Sequence, residues 1–251
     1  MREAWFLWRG EASWARGLRV TACPPLTRAP GGVPRVRIPG RSGCLFLRED
    51  PVYEEQTLTL GLVIPPPGTA EAALCWLRGR GTLVLSVRPD RALTAEAAAV
   101  TLFPLADGGW EGTAGFLVQP LKAQYPPEEA TEIDTGGAEG STDITHQGDV
   151  PARPLYILEG TGDLILDVGD AAEDGNGSRI VVHLDETGDG CVIDTDAGTV
   201  TNLDGTESLT ASTELFYNGF RGLWLPVGDD TTVAWGENVT KVTVSPRWRW
   251  L

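Results

Sequence analysis

The sequence has few cysteines and histidines, and this scarcity argues against several classes of protein. Its 251 residues include two histidines, His146 and His183, which lie in different sequence contexts and do not form the spacing of a zinc site. The cysteines share no CxxC spacing and are too sparse for a disulfide scaffold; they are Cys23, Cys44, Cys75 and Cys191. We therefore expect free thiols, no bound metal and no cofactor.

Long apolar runs and catalytic motifs are also missing. The longest apolar runs, such as residues 62–67, are far shorter than the roughly 20 residues that a membrane span needs. The chain contains no GxGxxG after a strand, no Walker P-loop, no HExxH and no GxSxG. Ser42, in Gly40-Arg41-Ser42-Gly43, lacks the nucleophile spacing and is interpreted as a turn residue. We expect neither membrane insertion nor catalysis.

Charge is distributed unevenly along the chain. Residues 1–125 carry 14 Lys and Arg against 11 Asp and Glu, a net charge of +3, whereas residues 126–251 carry 6 against 24, a net charge of −18. An acidic second half repels nucleic acid, and the nearly neutral first half lacks a phosphate-binding patch. Nucleic-acid binding is therefore not expected.

The first half, residues 1–125, has the pattern of a β-sheet domain with one short helix. Thr69 as N-cap and Glu71 in the first turn predict a helix that ends before Gly79. The run 93–103 fits a strand or a helix, and we favour the strand. Apolar or alternating runs bounded by turn residues predict further strands at 4–8, 17–22, 57–64, 82–88 and 112–119.

An acidic segment separates the two halves. Residues 126–149 contain seven acidic residues, no Lys or Arg, and almost nothing able to form a core. This composition predicts a flexible linker or loop.

The second half, residues 150–251, has the strand density of an antiparallel β-sandwich. Gly, Asn and Asp between the strands, as in Asp189-Gly190 and Asn218-Gly219, are typical of tight turns. The predicted strands are 155–159, 163–168, 179–184, 191–194, 199–203, 222–225, 231–235 and 239–244.

Two patterns in the second half suggest binding sites. Asp185, Thr187 and Asp189 imitate the start of a calcium loop, but their strand-like flanks favour a hairpin turn. Trp248 and Trp250 alternate with arginines, a composition enriched in protein interfaces, although a final edge strand explains it as well. We take these two tryptophans as candidate partner contacts.

The order of these features resembles the siphophage distal tail protein (Dit) family over essentially the whole chain. The segments that resemble its N-terminal belt domain are WFLWRGEASWARGLRV (5–20), RVRIPGRSG (35–43), TLTLGLVI (57–64), AALCWLRGRGTLVLS (72–86) and RPDR (88–91). Those that resemble its galectin-like C-terminal domain are RPLYILEGTGDLILDVG (153–169), VIDTDAGTV (192–200) and GLWLPVGDDTTVAWGENVTKVTVSPRWRWL (222–251).

The resemblance implies a mainly β, non-enzymatic protein: a β-sandwich-like belt domain with one short helix, then a galectin-like antiparallel β-sandwich. Such proteins form rings, commonly hexamers, that join the tail tube protein to the tail tip or a tail-associated protein and support receptor-binding components. The implied location is the virion tail tip, after assembly in the host cytoplasm. By resemblance we assign ring contacts to Arg35, Arg37, Arg41 and Arg48, which otherwise form a solvated basic edge.

Two other functions remain open at this point. One is a carbohydrate-binding β-sandwich module of a tail or cell-surface protein, and the other is a glycan-cleaving tail enzyme that uses paired carboxylates.

In a ring, copies of the −18 half would repel one another at close range. We therefore expect this half at the periphery of the ring, where screening over about 8 to 10 Å at physiological salt weakens the repulsion.

Overall fold

The structure, a computed structural model, divides into two compact units that meet in sequence at Pro126 and Pro127. Both units are built from antiparallel strands, which confirms the mainly β class. The structure describes residues 4–25, 31–32, 35–36, 45–46, 52–172, 175–185, 188–228 and 230–251.

The first unit contains one long antiparallel sheet with the strand order β2-β1-β9-β10-β11-β8-β3, while β4 pairs with β7 and β5 with β6. Its described strands are β1 (Phe6–Trp8), β2 (Glu11–Ala12), β3 (Arg19–Ala22), β4 (Gly31–Gly32), β5 (Arg35–Val36), β6 (Leu45–Phe46), β7 (Val52–Tyr53), β8 (Gln56–Ile64), β9 (Gly79–Leu85), β10 (Arg88–Pro104) and β11 (Trp110–Gln124). The strand that we favoured at 93–103 is part of β10, so that prediction is confirmed.

Helix α1 (Ala70–Trp76) begins where the sequence predicts. The Thr69 side chain accepts a hydrogen bond from the backbone N–H of Ala72 at 3.3 Å, which satisfies one of the free donors of the first turn. The Trp76 carbonyl accepts a bond from Trp8 Nε1 at 3.1 Å, and this bond ties the end of the helix to the sheet. A 3₁₀ turn (Ser13–Arg16) connects β2 to β3.

Aromatic rings form the centre of the first core. Phe6 and Trp8 of β1 are fully buried, and their ring centroids lie 6.1 Å and 5.2 Å from that of Phe116 in β11. Leu60 and Leu62 of β8 complete the layer, as the alternation of that strand predicts.

The second unit is a sandwich of two sheets with the orders β12-β21-β14-β17-β18 and β13-β20-β15-β16-β19. Its strands are β12 (Thr131–Asp134), β13 (Gly140–Thr145), β14 (Leu155–Gly160), β15 (Asp163–Val168), β16 (Ser178–His183), β17 (Gly190–Asp194), β18 (Thr199–Asn202), β19 (Thr213–Tyr217), β20 (Asp230–Trp235), β21 (Val239–Ser245) and β22 (Arg249–Trp250). Inward residues of both sheets, such as Tyr156 and Leu166, share one fully buried core.

The acidic segment 126–149 is not a flexible linker, so this prediction is wrong. Its residues supply β12, which pairs with β21, and β13, which pairs with β20. Ile133 and Ile144 pack against the core, whereas Glu132 and Asp143 face solvent. An edge strand needs only a few apolar side chains on one face, and such a strand is missed when composition alone is weighed.

The predicted strand at 222–225 is also wrong. Residues Gly219–Leu223 form a 3₁₀ helix, and Leu225 makes only an isolated bridge with Ala152. A side chain at Gly222 would collide with Ser178 and the Gly177 backbone, so the glycine permits a close approach that apolar patterning does not reveal. The last strand of this five-stranded sheet is β19, which pairs with β16 and which the sequence analysis did not predict.

Two glycines of β11 provide a matched test of how closely β10 and β11 approach. A Cβ on Gly112 would collide with the carbonyl oxygen of Thr101, whereas a Cβ on Gly115 would lie 3.5 Å from the Ala99 carbonyl oxygen, an ordinary contact. We expect Gly112→Ala to lower the free energy of unfolding by about 2 kcal/mol or more.

Gly115→Ala, the control, should change that free energy by less than about 1 kcal/mol. Urea unfolding of both variants measures the difference. Equal free energies of unfolding for the two variants would show that β10 and β11 can move apart at Thr101 without loss of stability.

Candidate functional site

The side chains of the predicted ring contacts are not described by the structure, so these contacts stay predictions. Arg35 lies in β5, where only the backbone is described. Arg37, Arg41 and Arg48 lie outside the described residues.

The two terminal tryptophans differ in their surroundings. Trp248 is 2% exposed and packs in the core of the second unit, where its ring lies edge-on to His146 with centroids 4.8 Å apart. This packing removes the side chain from the surface of the chain and so argues against Trp248 as a partner contact. Trp250 is half-buried against the same core and remains a candidate.

Arg247 and Arg249 bind the terminal segment to the sandwich, and Arg153 shares one of their carboxylate partners. Arg247 makes two bonds to Asp194, at 2.8 Å and 3.1 Å, while Arg249 and Arg153 bind the two oxygens of Asp196 at 2.6 Å and 2.7 Å. The guanidinium of Arg153 also lies 4.5 Å from the ring centroid of Trp224. The arginines that alternate with Trp248 and Trp250 therefore have intrachain partners.

This network changes the acidity of its carboxyl groups. Partial burial would by itself raise the pKa of Asp194, but hydrogen bonds from Arg247 and from nearby backbone N–H groups outweigh it, so the pKa lies below its ordinary value. The same competition, with Arg153 and Arg249 as donors, lowers the pKa of Asp196.

The most distinctive surface of the first unit is an open strand edge on β10. On its β9 side, β10 is paired from Arg88 to Ala97, where the partner is Gly79. Beyond Ala97, β10 continues to Pro104 and pairs only with β11 among the described residues. The outward backbone groups of Ala98–Pro104 thus lack a strand partner within the described parts of this chain. We call this segment the open edge.

The open edge carries a bulge at its start and Pro104 at its end, but among the described residues no charged side chain and no second paired strand protects the positions between them. Residues 97–106 include no charged residue, and Ala98, Thr101 and Phe103 are exposed, with Phe103 64% exposed. Natural sheets protect such edges with charges, shortness or a covering segment. The register shift between Ala97 and Ala99 is a bulge at the point where β9 ends.

A second apolar surface of the first unit surrounds Trp14. This residue is 60% exposed, and its ring stands edge-on to Trp5 with centroids 5.5 Å apart. It follows β2, the strand at one end of the sheet order. Exposed tryptophans with a fixed orientation are typical of protein interfaces.

The described groove and thiols do not resemble a catalytic centre. A groove in the first unit is lined by apolar side chains, amides and cations, with no acid, histidine, cysteine or hydroxyl group; its residues are Pro24, Pro25, Gln56, Leu58, Leu85, Arg88, Arg91, Leu93, Val118, Gln119, Pro120 and Lys122. Cys23, Cys75 and Cys191 are free, and Cys44 lies outside the described residues. Burial raises the pKa of Cys191 to about 12, which keeps it a thiol.

No helix among the described residues is long and apolar enough to cross a membrane. Within the same residues, no cluster of three or more His, Cys, Asp or Glu side chains has the arrangement of a metal site.

Comparison with known proteins identifies the fold class. No family model and no curated protein matches the sequence. Among solved structures, the crystal structure of SPP1 Dit (gp 19.1), described as a paradigm of the hub adsorption apparatus in phages that infect Gram-positive bacteria, matches 100% of both chains with a TM-score of 0.71 and 15% identity. Chains of the phage P2 baseplate in its activated conformation, with Ca and with Sr, match 97% of both chains with TM-scores of 0.53 and 0.51 and 11% identity.

The chain therefore has a two-unit, mainly β fold shared with proteins of phage tail hubs and baseplates. More particularly, its fold is that of a Dit-like hub protein along its whole length, as the order of sequence features predicted.

The Asp194 network predicts a specific pH dependence. A carboxyl group whose pKa is lowered in the folded state stabilises the fold above its unfolded value, about 3.9, and this contribution is lost as the pH falls through the folded value. We expect Asp194→Asn to lower the free energy of unfolding at neutral pH by about 1 kcal/mol.

The same variant should lose less stability than the unsubstituted protein on acidification. Asp204→Asn, in an exposed turn, is the control and should leave the acid transition unchanged. Thermal unfolding over a pH series measures both effects, and identical acid profiles for all three proteins would contradict the role of Arg247.

Proposed function

We propose that this protein is a structural, non-enzymatic component of a phage tail hub. In this proposal several copies, six by resemblance, form a ring that joins the tail tube to the tail tip and supports the components that recognise the host. The protein would be assembled in the host cytoplasm and retained in the virion.

The observation that carries the proposal is the match of the whole chain, both units included, to SPP1 Dit at a TM-score of 0.71. A shared sandwich alone would leave the function open, because one fold hosts many functions. Here the match extends over 100% of both chains and therefore includes both β units of this one.

Strand pairing at the open edge would allow copies of this protein to form a ring. A strand edge of one copy can pair with a different edge of the next copy, and such a head-to-tail contact closes a ring when the rotation between copies is suitable. The sheet of the first unit is open in this sense, since its strand order begins at β2 and ends at β3. We propose that the open edge pairs with the β3 side of the neighbouring copy.

Charge favours the same arrangement. The first half carries a net charge of +3 and tolerates close packing, whereas copies of the −18 half repel one another. We therefore place the first unit around the ring axis and the second unit outside it, where screening weakens the repulsion. Mapping that placed residues 150–251 at the centre of a ring would overturn this placement.

A pair of threonine substitutions on β10 tests the ring contact. Thr101 and Thr94 are both exposed, but Thr101 lies on the open edge and Thr94 is paired with Thr82 of β9. We expect Thr101→Lys to weaken self-association at least about tenfold, because charged side chains oppose pairing at a strand edge. Thr94→Lys, the matched control, should associate like the unsubstituted protein.

Light scattering over a concentration series, followed by negative-stain imaging of the largest species, reads out the result. Rings that withstand Thr101→Lys as well as Thr94→Lys would overturn the edge contact and leave the hub function in place. A strict monomer at every concentration, with or without purified tail tubes, would count against the hub function itself.

A further inference from the structure

Two neighbouring aromatic side chains lie at the surface of the second unit, and one of them belongs to a residue with a strained backbone. Tyr217, the last residue of β19, has a φ of 64°, and its ring centroid lies 6.3 Å from that of Phe216 at an angle of 49° between the planes. Phe216 is 40% exposed and Tyr217 is 49% exposed. An aromatic residue in the left-handed region is uncommon and costs free energy.

The strain has a visible consequence for the surface. Tyr217 lies opposite Ser178, which is fully buried, so regular alternation would turn the tyrosine inward. The left-handed backbone instead leaves the tyrosine ring exposed beside Phe216. Such outliers concentrate at functional sites, where the surrounding structure fixes a side chain in place.

An ion pair lies next to the two rings on the same face of the sheet. Arg179 is the cross-strand partner of Phe216, and Asp167 is the partner of Arg179 on the next strand. Arg179 Nε and Nη2 donate to the two oxygens of Asp167, each at 2.7 Å. The pair thus has a two-bond geometry that orients both groups, and it has no net charge.

The two bonds within this ion pair do not use all of its donors and acceptors. A guanidinium has five N–H donors, and the two bonds to Asp167 leave three of them outside the pair. Each carboxylate oxygen likewise keeps a lone pair after accepting one bond. A ligand group that both donates and accepts, such as a hydroxyl, fits this arrangement.

The part of the sheet face next to the ion pair is apolar, and acidic residues lie beside it. Val181 and Ile165, half-buried and paired across β16 and β15, form the next row on this face. Glu214 lies opposite Val181, and Asp163 binds His183 at 2.7 Å one row further on. These carboxylates, in a half with a net charge of −18, disfavour an anionic ligand.

We propose that Phe216, Tyr217, Arg179 and Asp167 form a binding site for an uncharged hexopyranose ring of a glycan. The apolar C–H face of the sugar stacks on the aromatic rings, and neighbouring hydroxyls bond to the fixed donors and acceptors of the ion pair. The site lies wholly within the second unit and does not depend on ring formation.

Saturation-transfer NMR on the full-length protein tests the site, since it detects weak ligands of large assemblies. The probes are methyl β-D-galactopyranoside, methyl α-D-glucopyranoside, methyl α-D-mannopyranoside and N-acetyl-D-glucosamine, with N-acetylneuraminic acid as the anionic comparison. At least one uncharged probe should receive saturation through its C–H face, and the anionic sugar should receive none.

Variants locate the binding. Phe216→Ala should weaken it at least about tenfold, whereas Phe103→Ala, which removes an exposed phenylalanine from the first unit, should not. Tyr217→Gly should abolish binding without lowering the thermal unfolding midpoint, because glycine adopts the left-handed backbone freely. A merely structural tyrosine would instead lose stability.

Three results would each overturn the proposal: no saturation of any uncharged probe, equal affinities for the Phe216→Ala and Phe103→Ala variants, or full binding by Tyr217→Gly. The first of these would leave the two aromatic rings as a contact for a protein.

Discussion

Unpaired strand edges are the constraint on which the rest of this structure depends. Every β-sheet ends in strands whose outward N–H and C=O groups need water or another partner, and a long uncharged edge invites a second molecule. The second unit ends its sheets in short strands, with acidic side chains such as Glu132, Asp143 and Glu214 on three of the four. The fourth, β18, is covered by residues 207–209: Asn202 N–H donates to the Glu207 carbonyl, and Leu209 N–H donates to the Val200 carbonyl. By contrast, the first unit leaves Ala98–Pro104 of β10 without a second partner strand among the described residues.

The two halves differ strongly in charge as well as in their strand edges. In the second unit, several cationic side chains are bound to carboxylates of the same unit; they are Arg153, Arg179, Lys241, Arg247 and Arg249. The excess of acids gives this half a net charge of −18, which opposes association with copies of itself. The proposed assembly therefore uses the first unit, whose mixed charges and open edge permit close contact.

The sequence predicted the parts of the fold that depend on local pattern. The Thr69 cap, the alternation of β8 and the long apolar run of β10 each gave the correct element, because burial of one face follows directly from residue order. The strands β12 and β13 escaped notice, since two isoleucines suffice to anchor an edge strand in an otherwise acidic segment.

The candidate sites were harder to predict, because they depend on tertiary pairing. The ten uncharged residues 97–106 were a visible signal, yet only the end of β9 at Gly79 makes them an edge. The sequence analysis took Trp248 as a candidate partner contact, but the structure buries it in the core of the second unit. The left-handed conformation of Tyr217 has no signature in the residue type, since it depends on the neighbouring turn and on the buried Ser178 opposite.

Hydrogen–deuterium exchange of the full-length protein at low and high concentration tests the central claim most directly. The account predicts that the outward amides of residues 98–104 become protected as copies associate, while those of β13 in the second unit exchange at an unchanged rate. Association without added protection at 98–104, or with protection confined to the second unit, would contradict it.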